Sequence, residues 1–230
     1  MYVVRCFMIA PDSHGQAGTA AGVCASRKTG ESKVKRHAPA TERNREAIAA
    51  VLRDMLPERG ALLEVAAGTG EHAAYLAPLF PGLAWQPSDP DPEALTSIEA
   101  WQADSEAANL LAPIFVDAAS STWPLDRADA ILCINMVHIS PWSATQGLMR
   151  GAAKLLPDNG PLILYGPYRR ADVPTAPSNE AFDQSLKDRN PAWGLRDVEA
   201  VRAEAEGQGL AMDRLVEMPA NNLVLVFRRG

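Results

Sequence analysis

Three carboxylates in this chain of 230 residues each sit at or just after the end of an apolar run. Glu64 belongs to "ALLEVA", Asp89 follows "LAWQPS" and Asp117 follows "PIFV". Acidic side chains at the ends of successive strands can take up hydroxyls, an amine and an exocyclic amino group of one ligand. After the first lies "AAGTGEH" (66–72), where glycines let the backbone approach a ligand closely. An apolar strand, a Gly-rich turn and a helix together hold a nucleotide-like cofactor, because the turn presents its N–H groups. That unit serves both nicotinamide dinucleotides and S-adenosylmethionine.

Glu71 separates the two. In the dinucleotide pattern G-x-G-x-x-G the third glycine lets the helix pack under the pyrophosphate. Aligning Ala66 and Gly68 with the first two glycines puts Glu71 in the third place. A carboxylate facing a pyrophosphate at a helix N-terminus is repulsive. S-adenosylmethionine has no phosphate; it carries a sulfonium, an ammonium and one carboxylate. Glu64 is expected to anchor the ammonium, and Gly68 and Gly70 to admit the methionine portion beside Ala66, Thr69 and His72. Asp89 is placed to take the ribose hydroxyls, and Asp117 the adenine amino group, with the Ala118 N–H pairing to the ring. Asp89 and Asp117 also suit the simpler task of capping the turns that follow them.

The elements that must position these residues alternate along the chain. Thr41 can cap a helix in which Ile48, Val51, Leu52, Met55 and Leu56 recur at helical spacing. Strands are expected at 61–66, 83–88, 113–117, 128–135 and 161–166. Helices are expected from about 69 to 79, from Asp91 and Pro92 onward, and through 147–156. Strands alternating with helices, and apolar enough for burial on both faces, predict an α/β, Rossmann-like, doubly wound sheet that is mostly parallel. Residues 210–218 and 222–229 break the rhythm. Only "PAN" separates them, too short for a crossover helix, so they form an antiparallel hairpin that completes seven strands.

Composition narrows the class. The net charge is −6 and no Lys/Arg-rich run occurs, which disfavours nucleic acid as a partner. Cys6, Cys24 and Cys133 are scattered, with no CxxC and no His at metal-ligand spacing, so no metal site or disulfide is expected. Cys133 reads as a buried thiol, and the cysteine usage as that of a cytoplasmic protein. No stretch has the roughly 20 apolar residues that cross a bilayer. Residues 1–35 read as a disordered extension or an upstream misassigned start, with Val34 as the candidate true start. Residues 36–230 are expected to form one domain.

With these elements in place the chain resembles the class I S-adenosylmethionine-dependent methyltransferases. More narrowly it is similar to the domain of unknown function 938 family, related to methyltransferase-like 26 proteins. The matching stretches are "ERN" (42–44), "LEVAAGTGEH" (63–72), "WQPSD" (85–89), "CINMVHISPW" (133–142), "LYGPY" (164–168), "RNPAWGLRD" (189–197) and "PANNL" (219–223). The resemblance covers residues 36 onward and implies S-adenosylmethionine as cofactor. Ala66 stands where the wider superfamily commonly has glycine.

Methyl transfer is an in-line displacement in which positioning supplies most of the acceleration, and a base is needed only when the nucleophile carries a proton. Asn135 and Met136 are expected beside the transferable methyl. The run after the fourth strand lacks the N/D-P-P-Y/F loop of amino-group methylases acting on adenine or glutamine. His138 is the candidate catalytic base, or else a loop-ordering donor. Trp142, Tyr165 and Tyr168 are candidate walls of an acceptor pocket or faces for the cationic sulfonium, and equally suit ordinary core packing. The long segment 167–209 reads as a cover, offering Asn179, Arg189, Asn190 and Arg196, while Arg43 and Asn44 approach from the N-terminal helix. Those polar residues suggest a small polar or anionic acceptor. Asn221 and Asn222 read as hairpin-turn residues. Two other functions stay open: a cofactor-binding partner or regulator without turnover, and an NAD-dependent oxidoreductase.

Overall fold

The computed structural model describes residues 34–230. The readings for residues 1–33, with Cys6 and Cys24, lie outside the described residues. The chain runs through α1 (Pro39–Leu52), β1 (Gly60–Val65), α2 (Glu71–Leu76), β2 (Leu83–Asp89) and α3 (Pro92–Ala103). Next come β3 (Ile114–Phe115), β4 (Ala130–Ile134), α4 (Trp142–Leu155) and β5 (Pro161–Gly166). The remainder is β6 (Tyr168–Arg169), α5 (Pro177–Arg189), β7 (Arg196–Asp197), α6 (Val198–Gly207), β8 (Leu210–Met218) and β9 (Asn222–Arg229).

Seven strands form one sheet in the order β3-β2-β1-β4-β5-β9-β8. The first five are parallel, and β9 runs antiparallel to both β5 and β8. This is the expected Rossmann-like sheet with its terminal hairpin. Every residue of β4 and β5 is buried, which is why their sequences show no polar alternation. Successive strand side chains point to opposite faces, so each strand feeds two cores. Leu62, Leu132 and Ile163 pack against α1 and α2 through Ile48, Leu52 and Leu76. Leu63, Ile131 and Leu164 pack on the other face against α4 and α6 through Leu148, Ala152 and Val201. Cys133 is buried in that second core, and burial pushes its thiol up to about 12.

Three local expectations change. Helix α1 starts at Pro39 with Ala38 in the capping place, so Thr41 does not cap it; Thr41 is buried and faces His72 instead. Pro39 supplies the preset φ that opens the helix. The third strand shortens to two residues, because only Ser88 and Asp89 of β2 pair with it. Two-residue strands β6 and β7, which had no periodicity to reveal them, pair with each other beyond the main sheet. The start of α3 follows expectation, with the Asp91 side chain accepting from the Glu93 N–H ahead of Pro92. No helix among the described residues is long and apolar enough to cross a membrane.

Candidate functional site

Strand order reverses between β1 and β4, and the crevice at their carboxyl ends is the place where open α/β sheets bind ligands. A cavity of about 840 Å³ opens there. The first turn contributes Glu64, Ala66, Gly68, Thr69 and His72 to its wall. The turns after β2 and β3 add Asp89, Asp91, Asp117 and Ala118, and the loop after β4 adds Asn135 and Met136. Every residue expected at the cofactor is thus brought to one cavity, except Gly70.

Gly70 has a different task. Its φ is +84°, and a Cβ there would lie 2.7 Å from the Cα of Ile98, so glycine lets α3 pack on the turn. Gly68 also has a left-handed φ of +59°, but a Cβ there would meet nothing within 4 Å. Gly70→Ala is therefore expected to cost about 3 kcal/mol of stability by urea denaturation, from left-handed strain plus a backbone clash. Gly68→Ala should cost only about 1 kcal/mol, with its main effect on ligand affinity. Equal losses would contradict the two roles. Ala66 adopts a left-handed φ of 57° despite its Cβ.

The wall is acidic. Glu64 is almost fully buried, and its Oε2 accepts from Trp85 Nε1 at 2.7 Å. Burial pushes its carboxyl up to about 7, the Trp85 bond opposes this, and the Asp89 charge adds to it. Asp89 accepts from the Gly68 N–H and the Asp91 N–H, both at 2.9 Å, and so ties the glycine turn to the turn after β2. Its pKa is also raised, chiefly by burial. Asp117 accepts from the Ala119 N–H at 2.9 Å, the capping role considered for it, while also lining the cavity. His72 Nε2 lies 2.8 Å from Asn44 Oδ1 and Nδ1 lies 3.5 Å from Thr41 Oγ1. Burial pushes this imidazole down to about 4, so it is neutral at physiological pH.

Glu71 lies off the cavity wall, so it would not face a ligand there. Its Oε2 accepts from the Ala38 N–H at 2.9 Å, and His37 Nδ1 lies 3.5 Å from Oε1. The carboxylate thereby pins the arm that precedes α1. Ser97 Oγ accepts from the Arg36 N–H, and Trp101 Nε1 donates to the Arg36 carbonyl. As a result Arg36, Ala38 and Ala40 join the wall, and sequence reasoning missed all three. The signal for them is weak: the arm makes single side-chain contacts to distant helices and carries no periodicity.

A family model described as "Protein of unknown function (DUF938)" matches residues 35–229. The chain belongs to that family. Solved structures with similar folds include an O-methyltransferase family 2 protein from Planctomyces limnophilus in complex with apigenin, at 19% identity and TM-score 0.69. That match covers 83% of this chain and 60% of the other. Human N-acetylserotonin methyltransferase in complex with SAM aligns at 14% identity and TM-score 0.66, over 83% of this chain and 53% of that one. A putative sarcosine dimethylglycine methyltransferase from Galdieria sulphuraria aligns at 16% identity and TM-score 0.65, over 83% and 87%. The chain thus spans 60% and 53% of the length of the first two and most of the third. The fold is that of the class I methyltransferases.

In this DUF938 protein most residues expected at the acceptor lie elsewhere. His138 is buried beneath Gly166, where a Cβ would come within 2.6 Å of its Cε1, and it packs edge-on against Phe182 at 5.8 Å. It is not on the cavity wall, and burial followed by the Arg196 charge pushes it down to about 3, which removes it as the base. Tyr168 is in the core, and Trp142 packs against that core with the Arg196 guanidinium 5.8 Å from its ring. Asn179 donates to the Asn221 carbonyl at 3.0 Å and lines a separate, smaller pocket beside the hairpin. Arg43 is on the exposed face of α1, and Asn44 and Tyr165 do not line the cavity, although Asn44 meets the His72 ring that does.

The cover does reach the cavity, through Trp193. Arg189 sits 5.6 Å from the Trp193 ring centroid, and Arg196 donates to the carbonyls of Val137, Ser140 and Ala192. Arg196 thus clamps the loop after β4 to the cover. A cluster of Arg169 with Glu180 and Asp183, and of Lys187 with Asp183, holds α5 in place behind them.

Proposed function

We propose that the protein is an S-adenosylmethionine-dependent methyltransferase acting on a small-molecule acceptor. The observation that carries this reading is a buried carboxylate, Glu64, raised toward neutrality and lining a cavity that also holds Asp89, Asp117 and a left-handed glycine turn. Such a wall fits a ligand with fixed positive charge and no phosphate. Glu64 would hold the ammonium, Asp89 the ribose hydroxyls, and Asp117 the adenine amino group. Asp89 keeps lone pairs for this after accepting its two backbone N–H groups. The open space over Gly68 leaves room for the methionine portion, and Asn135 and Met136 flank the reacting end. When bound, the cofactor supplies a methyl group already activated by its sulfonium.

A dinucleotide fits poorly. Among the described residues four carboxylates, Glu64, Asp89, Asp91 and Asp117, line the cavity against one cation, Arg36, which Asp91 already holds at 3.2 Å. A pyrophosphate would add two negative charges to that wall. Titration calorimetry with S-adenosylhomocysteine and with NAD is the direct test: one site for the first and none for the second is expected. Binding of NAD alone would overturn the reading. Bound S-adenosylhomocysteine without methyl transfer to any compound in a cell extract supplied with labelled donor would favour a regulatory protein.

A further inference from the structure

Apart from its carboxylates and Arg36, the cavity is lined by uncharged residues. Ala38 and Ala40, Ile139 and Pro141 of the loop after β4, and Trp193 of the cover are apolar. The polar groups among them are neutral: Thr41, Ser140, Ser143 and the His72 ring. Asn179 and Arg196, expected to meet a polar or anionic acceptor, are committed to backbone carbonyls elsewhere. An anionic acceptor would enter an acidic cavity whose single cation on the described wall is already paired.

In the methyltransferase reading the cavity's carboxylates are engaged, Glu64, Asp89 and Asp117 by the donor and Asp91 by Arg36. No other group on the described wall is placed to take a proton from an acceptor. His72 has Asn44 on one ring nitrogen and Thr41 near the other, and it is too weak a base to draw a proton from an alcohol or phenol. His138 lies off the wall. The Ser140 hydroxyl donates to the Met136 carbonyl. Glu64, poised near neutrality, partners the ammonium in the methyltransferase reading, on which this inference rests.

We infer that the acceptor is an uncharged compound with an apolar body, methylated on a weakly basic nitrogen whose lone pair is free at neutral pH. Such a nitrogen needs no base before attack. Its lone pair forms the N–CH3 bond while the C–S bonding pair returns to the donor's sulfur, which becomes a neutral thioether. The positive charge moves from sulfur to nitrogen, inside a wall whose net charge is negative and which therefore favours it. A nitrogen that carried hydrogen then releases a proton to water. The Trp193 indole, braced by Arg189, offers a surface for an aromatic body and a π-face for the cationic product.

Three bicyclic probes of one size separate the possibilities: isoquinoline, 2-naphthol and 2-naphthoate. Binding of each to the full chain loaded with S-adenosylhomocysteine is measured by calorimetry, and transfer from a labelled donor is measured in parallel. Isoquinoline and 2-naphthol should bind at least about tenfold more tightly than 2-naphthoate, since the carboxylate would meet a wall of net negative charge. Transfer to isoquinoline should exceed transfer to 2-naphthol by about a hundredfold or more, the usual worth of the missing base. Ile139 is 37% exposed, so Ile139→Arg should fold normally and shift the preference toward 2-naphthoate by about tenfold. Equal binding of 2-naphthoate, faster methylation of 2-naphthol, or no binding by any probe would overturn the inference. S-adenosylhomocysteine binding is measured first; its absence overturns the methyltransferase reading itself, whereas its presence with any of those three results overturns only the acceptor assignment.

Discussion

Replacing Glu64 by Gln is expected to stabilise the empty protein while destroying its grip on the methyl donor. The Glu64 carboxyl is buried and its folded pKa is raised from 4.5 to about 7. A raised carboxyl binds its proton more tightly when folded. Its contribution to stability is therefore complete below the unfolded value and is lost as pH rises through about 7. The loss amounts to about 3 kcal/mol at pH 8, at roughly 1.4 kcal/mol per pKa unit. Gln keeps an oxygen for the Trp85 Nε1–H bond and cannot ionise, so Glu64→Gln should recover most of that at pH 8 and nothing near pH 4. Urea midpoints at the two pH values measure the difference, and a gain independent of pH would refute the account.

Ligand affinity moves the other way. An ammonium draws Glu64 into its charged form, so native affinity should rise between pH 6 and 8 with release of a proton. Glu64→Gln removes one partner of a buried charge pair, worth about 3 kcal/mol or more, and should weaken S-adenosylhomocysteine binding by two orders of magnitude. Calorimetry in buffers of different ionisation enthalpy counts the proton directly. Affinity unaffected by both pH and substitution would remove Glu64 from the site.

Asp89→Ala is expected to act on fold and site together. Its two oxygens satisfy the Gly68 and Asp91 N–H groups, so truncation leaves two donors unpaired, at a cost of about 2 kcal/mol or more. It also removes the acceptor proposed for the ribose, so affinity for S-adenosylhomocysteine should fall by about a hundredfold, the worth of two hydrogen bonds to a charged group. Asp117→Ala is the comparison. That side chain is exposed and holds only the Ala119 N–H, so it should cost less than about 1 kcal/mol of stability. Unchanged affinity in Asp89→Ala would contradict the ribose role, and an unchanged urea midpoint would show that the two amides find other partners.

What was legible in the sequence was local or edge-wise. Apolar runs such as "AILCI" and "LVLVF" set the strands, and Asp91-Pro92 marked a helix start by its own capping chemistry. The three-residue link between β8 and β9 left only an antiparallel pairing. In a parallel sheet every strand delivers its C-terminal residue to the same edge, so Glu64, Asp89, Asp117 and Asn135 reach one cavity by topology alone. Periodicity and turn chemistry are short-range, and they suffice for that much.

Where individual side chains go beyond the edge is a matter of long-range packing. "AAGTGEH" announces a ligand turn, but only the tertiary structure sends Gly70 against Ile98 and Glu71 to the Ala38 N–H rather than toward the ligand. His138 and Tyr168 look like site residues because imidazoles and phenols near strand ends can do chemistry, yet each fills core space. Trp193 and the arm from Arg36 come from segments distant in sequence whose course is fixed by long-range side-chain contacts: Arg196 on carbonyls, Glu71 and Ser97 on amides of the arm. The sequence by itself determined the sheet, its edge and the acidic residues gathered there. The tertiary structure decided which uncharged residues complete the cavity, because they come from four separate stretches of chain with no shared local pattern.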